Sequence, residues 1–353
     1  MDASGSASPL LTPGTGGSAA EGYTLAVIGC GTMGVAILSG VLDSKTQVEA
    51  RKNAMAAAAS SQKQQQSNGG PDGPSLSDSI ASLLDVDESS DPSSTRLLPS
   101  RFIACVSRTE SARRLKRTFA AHADVVEVVA SANVEAAQQA DVVLLACKPQ
   151  MVAEILVKEK GMREALHGKL VCSICAGLRI EQIRDMVDES TRVVRAMPNT
   201  PSKIRQGMTI LTPLPSSDPL AAQSRRILVS IFQAVGRCRF LDEKHFDAAT
   251  ALAGSGPAFA CVFLEAMADG AVMMGLPRKE ALELAAQTMQ GAARMVLESG
   301  MHPAAIKDSV TTPGGCTIAG LLNLEDGKVR STVARTIQAA AEHASGLGQT
   351  SKK

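Results

Sequence analysis

Short apolar runs recur along the first two thirds of the chain, each followed by a stretch with helical spacing. Tyr23 to Ile28 precedes a helix from Met33, and Phe102 to Val106 precedes one running through Arg113 to Phe119. Val125 to Val129, Val142 to Ala146 and Leu170 to Ser173 continue the series. Buried runs separated by helices predict a parallel sheet covered on both faces. Val193 to Ala196 and Met208 to Leu211 read as further strands of that sheet. From Asp242 onward the helical spacing is almost unbroken, so the second domain, 242–347, is expected to be all-α.

Two stretches break this rhythm. Residues 1–22 are rich in Ser, Gly, Ala and Pro and contain no Lys or Arg, unlike a secretory leader or an Arg-rich transit peptide, and they read as a disordered tail. Residues 46–100 include Gln62-Lys63-Gln64-Gln65-Gln66 and Asn68-Gly69-Gly70-Pro71, a composition poor in core formers, and are expected to be a disordered low-complexity insertion. Within it, Leu76, Ile80, Leu83 and Leu84 have the spacing of a short amphipathic helix.

Charge and composition narrow the partners. The 36 basic against 35 acidic side chains leave a net charge of +1, which argues against a nucleic-acid or anionic-membrane surface. Aromatic content of 2% disfavours base-stacking platforms, so a small molecule is the expected partner. The most apolar helical run, Pro257 to Leu276, carries Glu265 and Asp269 and is read as a helix of the fold rather than a bilayer span. Eight irregularly spaced cysteines in apolar or Gly-rich runs suit a reduced, cytoplasmic protein. Cys172 and Cys175 form a formal CxxC, but in a strand positions three apart face opposite sides, so both read as packing residues and no metal site is expected.

The chemistry begins at Gly29-Cys30-Gly31-Thr32-Met33-Gly34, a GxGxxG that follows the first strand and opens a helix. Gly29 permits the tight turn, Gly31 lets a pyrophosphate approach the backbone, and Gly34 lets helix and strand pack closely. The helix N-terminus then favours the anion. Residues 23–241 are therefore read as a Rossmann dinucleotide-binding domain. Its second strand ends in Val106-Ser107-Arg108 where NAD binders carry an acidic residue, so Ser107 and Arg108 suit a 2′-phosphate and NADPH is expected over NADH. Asn133, read as a helix cap, is also placed to touch the adenosine. Ala146-Cys147-Lys148-Pro149 ends a strand on the carboxyl edge, where ligands bind in such sheets.

These blocks, together with Cys175-Ala176-Gly177, Arg195-Ala196-Met197-Pro198-Asn199-Thr200-Pro201, Ala253-Gly254-Ser255-Gly256-Pro257-Ala258-Phe259, Met274-Gly275-Leu276-Pro277 and Thr311-Thr312-Pro313-Gly314-Gly315-Cys316-Thr317, run in order along most of the chain. The chain resembles pyrroline-5-carboxylate reductase, the enzyme of the last step of proline biosynthesis. The resemblance implies that Ile28, Gly29, Cys30, Gly31, Thr32, Met33, Ser107, Asn133, Ala146, Lys148 and Ala176 line the NADPH site and that Cys316 and Thr317 hold the substrate. It also implies homodimers built by interlocking helices, often assembled further. Ser309 stands where some relatives carry Asn, and Gly300 where some carry Glu.

Thr311 to Thr317 has the composition of a loop entering a helix, so backbone N–H groups at Gly314, Gly315 and Cys316 suit a substrate carboxylate, and the Thr317 hydroxyl suits a ring nitrogen. Reduction of a C=N bond needs that nitrogen hydrogen-bonded or protonated as hydride arrives, which makes Thr317 the candidate catalytic residue. Glycines used only for close packing after a proline remain the alternative for this loop. Lys148 is read as orienting the cofactor or capping a loop rather than transferring a proton. Two rival functions stand beside this one. A β-hydroxyacid dehydrogenase would need a catalytic Lys early on a helix after a Gly-rich stretch, whereas Gly254-Ser255-Gly256-Pro257 leads to Phe259 and Ala260. A non-catalytic NADPH-sensing regulator would use the same fold without turnover.

Overall fold

The computed structural model describes residues 22–65 and 97–347. The chain divides between Glu243 and Lys244 into two compact units, two residues beyond the expected boundary.

The first unit is one eight-stranded sheet. Its strands are β1 (Thr24–Ile28), β2 (Arg101–Val106), β3 (Val126–Ala130), β4 (Val142–Leu145), β5 (Leu170–Ser173), β6 (Arg192–Met197), β7 (Gly207–Leu211) and β8 (Gly236–Phe240), in spatial order β3-β2-β1-β4-β5-β6-β7-β8. The first six are parallel, β7 pairs antiparallel with β6, and β8 runs parallel to β7. Connecting helices are α1 (Thr32–Gln65), α2 (Thr109–Thr118), α3 (Asn133–Gln139), α4 (Pro149–Ala153), α5 (Met162–Ala165), α6 (Ile180–Arg184) and α7 (Ala221–Gln233). The edge strand β8 was not foreseen. Its Gly236-Arg237-Cys238-Arg239-Phe240 alternates exposed arginines with half-buried Cys238 and Phe240, a period-2 signal too weakly apolar to stand out, and Arg225 lies 4.1 Å over the Phe240 ring.

Strand side chains alternate between two apolar clusters, as the two-residue period requires. One face joins Leu25, Val27, Phe102, Leu144 and Cys172 to Ile37 and Leu38 of α1 and Ile231 and Phe232 of α7. The other joins Ile28, Ile103, Leu145, Val171 and Cys175 to Ala136 of α3, Val152 of α4 and Ile183 of α6. Both faces are thus covered, which is why these strands read as continuous apolar runs.

The expected insertion needs correction at both ends. Helix α1 continues to Gln65, well past Thr46, because nothing between Lys45 and Gln65 is Gly or Pro and the alanine-rich Ala54 to Ala59 stretch has high helix propensity. At the far end Pro99 is buried, Leu97 and Leu98 are half-buried against the core, the Ser100 N–H donates to Tyr23 O at 2.9 Å, and Lys45 Nζ donates to Ser100 O at 3.2 Å. The proposed Leu76 to Leu84 helix lies outside the described residues, as do residues 1–21.

The second unit is helical throughout: α8 (Phe246–Ala249) continuing as a π turn (Thr250–Gly254), α9 (Gly256–Met273), α10 (Arg278–Ser299), α11 (Pro303–Ser309), α12 (Cys316–Asp326) and α13 (Val329–Leu347). Helices α9 and α10 pack together, and α13 packs on α8 and the π turn. Among the described residues of this unit, the buried apolar side chains are mostly alanines (Ala251, Ala268, Ala281, Ala285), whereas Val262, Met273, Met274, Leu284, Leu297 and Leu322 are exposed. Glu243–Met273 forms one helical run long and apolar enough to cross a bilayer by length and composition.

Candidate functional site

Strand order places β1 beside β4, while β2 and β3 extend the sheet the other way, so the chain reverses its direction of growth between β1 and β4. The crevice beyond the carboxyl ends of two such strands is where open α/β sheets bind ligands. The glycine turn fills the lip of this crevice. Gly29 adopts φ +78°, and its own N–H and that of Cys30 both donate to Cys105 O, at 3.0 and 2.9 Å. The first helical bond of α1 is Val35 N–H to Gly31 O at 2.9 Å, so the N–H groups of Thr32, Met33 and Gly34 lie in the first turn without intrahelical acceptors. A Cβ on Gly34 would meet Val27 Cγ1 at 3.0 Å, the close helix–strand packing that the motif predicts.

The expected cofactor residues divide by what they can offer. Ile28 and Cys30 bury their side chains in the core, so they face the crevice through backbone alone, and burial pushes the Cys30 thiol up to about 12. Gly31 and Thr32 are exposed and Met33 is half-buried. Ser107 and Arg108 are exposed at the end of β2, where Ser131 Oγ donates to Ser107 O at 3.0 Å. Lys148 is exposed at the start of α4, with Pro149 as its first helical residue and no side-chain capping bond. Ala146 is half-buried and Ala176 exposed, at the ends of β4 and β5.

Asn133 is not the helix cap. It is the first residue of α3, preceded by Ala132. Its Nδ2 donates to Glu159 Oε1 at 2.7 Å and its Oδ1 accepts from the Cys105 thiol at 2.9 Å, so the amide ties β2 to the segment after α4. Beside the glycine turn, a cleft of 410 Å³ is lined by Gly31, Thr32, Arg114 and Lys203 and by the ion-paired Asp43 and Arg205. Arg114 therefore borders the dinucleotide loop.

The Arg195 to Pro201 block builds the framework. Arg195 Nη1 pairs with Glu243 Oε1 at 2.7 Å, and the same oxygen accepts the Ile180 N–H at 2.9 Å. Asn199 Oδ1 accepts the Met208 N–H at 2.9 Å, fixing the reversal into β7.

In the second unit, Thr312 to Gly315 form a tight turn closed by Gly315 N–H to Thr312 O at 3.1 Å. Pro313 and Gly314, the latter at φ +67°, occupy its centre, the type II arrangement. Gly315 precedes α12, Cys316 is exposed and Thr317 is half-buried at the second helical position. One expectation changes: the Gly315 N–H closes the turn and is not offered to a ligand. The donors without intrahelical acceptors are those of Cys316, Thr317 and Ile318. Ser309 Oγ donates to Ile306 O at 2.7 Å, a local role.

A reductase from Lophium arboricola, "Pyrroline-5-carboxylate reductase", is 46% identical over 336 residues, spanning 92% of this chain and 93% of that protein. The chain belongs to the pyrroline-5-carboxylate reductase family. The family model for pyrroline-5-carboxylate reductase dimerisation matches residues 243–347, and one described as NADP oxidoreductase, coenzyme F420-dependent, matches 90–177. The fold agrees with a solved Coxiella burnetii pyrroline-5-carboxylate reductase (TM-score 0.69, 26% identity, 93% of this chain and 99% of that one). It also agrees with the Plasmodium falciparum pyrroline carboxylate reductase solved with NADP bound (TM-score 0.64, 25% identity, 93% and 99%). Membership in this reductase family sets the hydroxyacid-dehydrogenase reading aside. The protein is an NAD(P)H-dependent oxidoreductase with a Rossmann unit and a helical dimerisation unit.

Proposed function

We propose that the protein reduces 1-pyrroline-5-carboxylate to L-proline, with NADPH as the preferred donor, as a homodimer or larger assembly in the cytoplasm. The observation that carries this reading is the type II turn at Thr312 to Gly315 opening α12. It presents the N–H groups of Cys316, Thr317 and Ile318 to an anion and places the Thr317 hydroxyl beside them.

The dinucleotide fits the residues present. The positive φ of Gly29, the open approach over Gly31 and the exposed N-terminus of α1 suit a pyrophosphate, and the exposed Ser107 and Arg108 suit a 2′-phosphate. Gly29 to Gly34 would hold the pyrophosphate, and Ala146, Lys148, Pro149 and Ala176 the nicotinamide end. The reduced nicotinamide supplies the hydride. The N–H groups opening α12 hold the substrate carboxylate, and the Thr317 hydroxyl hydrogen-bonds the ring nitrogen as its basicity rises.

The exposed apolar surface of the second unit supports assembly with a second copy, since a soluble monomer rarely leaves so much apolar area uncovered. Protein rather than lipid is the assigned cover for Glu243–Met273, because this run carries Glu265 and Asp269, the latter paired with Arg278 at 2.6 Å. The cytoplasmic placement rests on cysteines that are all free, four of them buried in the core of the sheet.

The deciding assay follows NADPH absorbance after adding pyrroline-5-carboxylate to the purified chain. Loss of absorbance with proline formed in equal amount is expected. Retained NADPH binding without turnover would overturn the reading in favour of a sensor, and a monomer in sedimentation at low micromolar concentration would overturn the assembly.

A further inference from the structure

Two thiols stand together at the mouth of the dinucleotide crevice, and the reduction chemistry uses neither. β4 and β5 are parallel neighbours with Leu145 opposite Ser173, and the ladder continues one step further, Ile174 N–H donating to Leu145 O at 2.9 Å. Two residues beyond the end of each strand come Cys147 and Cys175. They share a face of the sheet: Cys175 belongs to the cluster that contains Ile28 and Leu145, and Cys147 packs against that cluster. Cys172, by contrast, lies in the cluster on the opposite face, so the formal CxxC is not the pair that meets.

The Cys175 thiol reaches the end of β4 directly, donating to Cys147 O at 3.3 Å and to Leu145 O at 3.6 Å. Its neighbour Cys147 holds the Cys175 thiol below its ordinary value, while Cys175 and burial push the Cys147 thiol up, so of the two Cys175 is the readier nucleophile. A thiol of lowered pKa beside a second thiol is the arrangement of oxidation-sensitive cysteines. Neighbouring strands also keep their Cα atoms within the span that a disulfide tolerates.

The pair adjoins the residues assigned to the cofactor. Cys147 lies between Ala146 and Lys148, and Cys175 directly precedes Ala176. A Cβ on Gly29 would fall 2.5 Å from Cys147 Cα, so the backbone at Cys147 rests on the glycine turn without slack. Any shift of Cys147 toward Cys175 is therefore passed to that turn.

We propose that Cys147 and Cys175 are a reversible oxidation site, joined by hydroperoxide into an intramolecular disulfide that impairs dinucleotide binding at the β1–β4 crevice. In the first step the Cys175 thiolate attacks hydrogen peroxide; an S–O bond forms, the O–O bond breaks, and hydroxide leaves to take up a proton. The Cys147 sulfur, giving up its proton, then attacks the sulfenic sulfur; the S–S bond forms and water leaves. Two thiols and one peroxide yield one disulfide and two waters.

The inference rests on the dinucleotide crevice being placed as above, and the test separates the two. The purified full-length protein is treated with hydrogen peroxide, with and without saturating NADP⁺. Non-reducing peptide mass spectrometry and NADPH fluorescence titration follow, each before and after dithiothreitol. The expected result is a peptide carrying the Cys147–Cys175 cross-link, NADPH affinity lowered about tenfold or more, recovery with dithiothreitol, and protection by NADP⁺. C147A and C147S should bind NADPH before treatment and keep that affinity after it. Oxidation confined to the exposed Cys261 and Cys316 without the cross-link would overturn the proposal, as would a cross-linked protein that binds NADPH unchanged. Failure of the untreated protein to bind NADPH would instead overturn the placement of the crevice.

Discussion

Gly29 and Cys147 meet backbone against backbone: a Cβ built on Gly29 would lie 2.5 Å from Cys147 Cα and 2.6 Å from its backbone nitrogen. The turn leaving β1 is thus pressed onto the end of β4, and its φ of +78° excludes most side chains in any case. Gly29→Ala should lower NADPH affinity about tenfold or more and reduce Tm, because left-handed strain of about 1 kcal/mol adds to a clash that only backbone movement relieves. Fluorescence titration and thermal unfolding measure both; wild-type affinity would mean that the turn is not the pyrophosphate site.

Arg108 is exposed just before α2 and makes no side-chain cap, so its guanidinium is available to a 2′-phosphate. A lost charge-assisted hydrogen bond is worth about 1.5 to 3 kcal/mol, so Arg108→Asp should raise KM for NADPH roughly 10- to 150-fold. KM for NADH should change far less. Equal changes for the two cofactors would remove Arg108 from the phosphate site.

Lys45 reaches Ser100 O, so the chain re-enters the fold beside the point where α1 stops contributing to the core. Excising 46–96 and joining Lys45 to Leu97 with a short Gly-Ser linker should leave turnover within a few-fold. Excising 46–100 should lower Tm, because it also removes Leu97 and Leu98, which pack on the core, and the Ser100 bond to Tyr23. Equal Tm values for the two deletions would show that 97–100 contribute nothing.

Burial, reinforced by Asp141, pushes the Tyr23 phenol well above its ordinary value of 10, and its hydroxyl finds no hydrogen-bond partner among the described residues. The folded-state value is raised, so this contribution to stability is complete below pH 10 and is lost as pH rises above it. Tyr23→Phe should therefore match or exceed wild-type stability near pH 8, with a gain of up to about 1 kcal/mol, and lose less stability near pH 11. Urea midpoints at both pH values provide the check, and parallel alkaline losses in the two proteins would contradict it.

Thr317 sits at the second position of α12, beyond a turn that consumes the Gly315 N–H. If its hydroxyl serves the ring nitrogen in the transition state, Thr317→Ala should slow hydride transfer about 10- to 100-fold, corresponding to about 1 to 3 kcal/mol. NADPH affinity should barely move, and Thr317→Ser should retain much of the activity. Single-turnover rates at saturating imine decide the matter; agreement within a factor of about two would deny the hydroxyl its role.

Much of the candidate site was legible because its signals are local. Gly29, Gly31 and Gly34 announce a strand–turn–helix through their spacing, and Pro313-Gly314 announces a turn through its two residues. Asn133 was misread for the same reason: position after a strand suggests a cap, whereas its partners Cys105 and Glu159 lie 28 and 26 residues away. The extent of α1 was misjudged because composition suggested disorder, while an alanine-rich stretch following an anchored helix simply propagates it.

The sequence by itself determined the alternation of buried strands and helices, the glycine turn and the change to an all-helical second unit, since each depends on periodicities within a few residues. Only tertiary structure decided that β1 lies beside β4, that β7 reverses against β6, and that Cys147 faces Cys175 while Cys172 faces away. The physical reason is that strand order and register arise from long-range packing on both faces of the sheet. The spacing of any one segment carries no record of which neighbour it will meet.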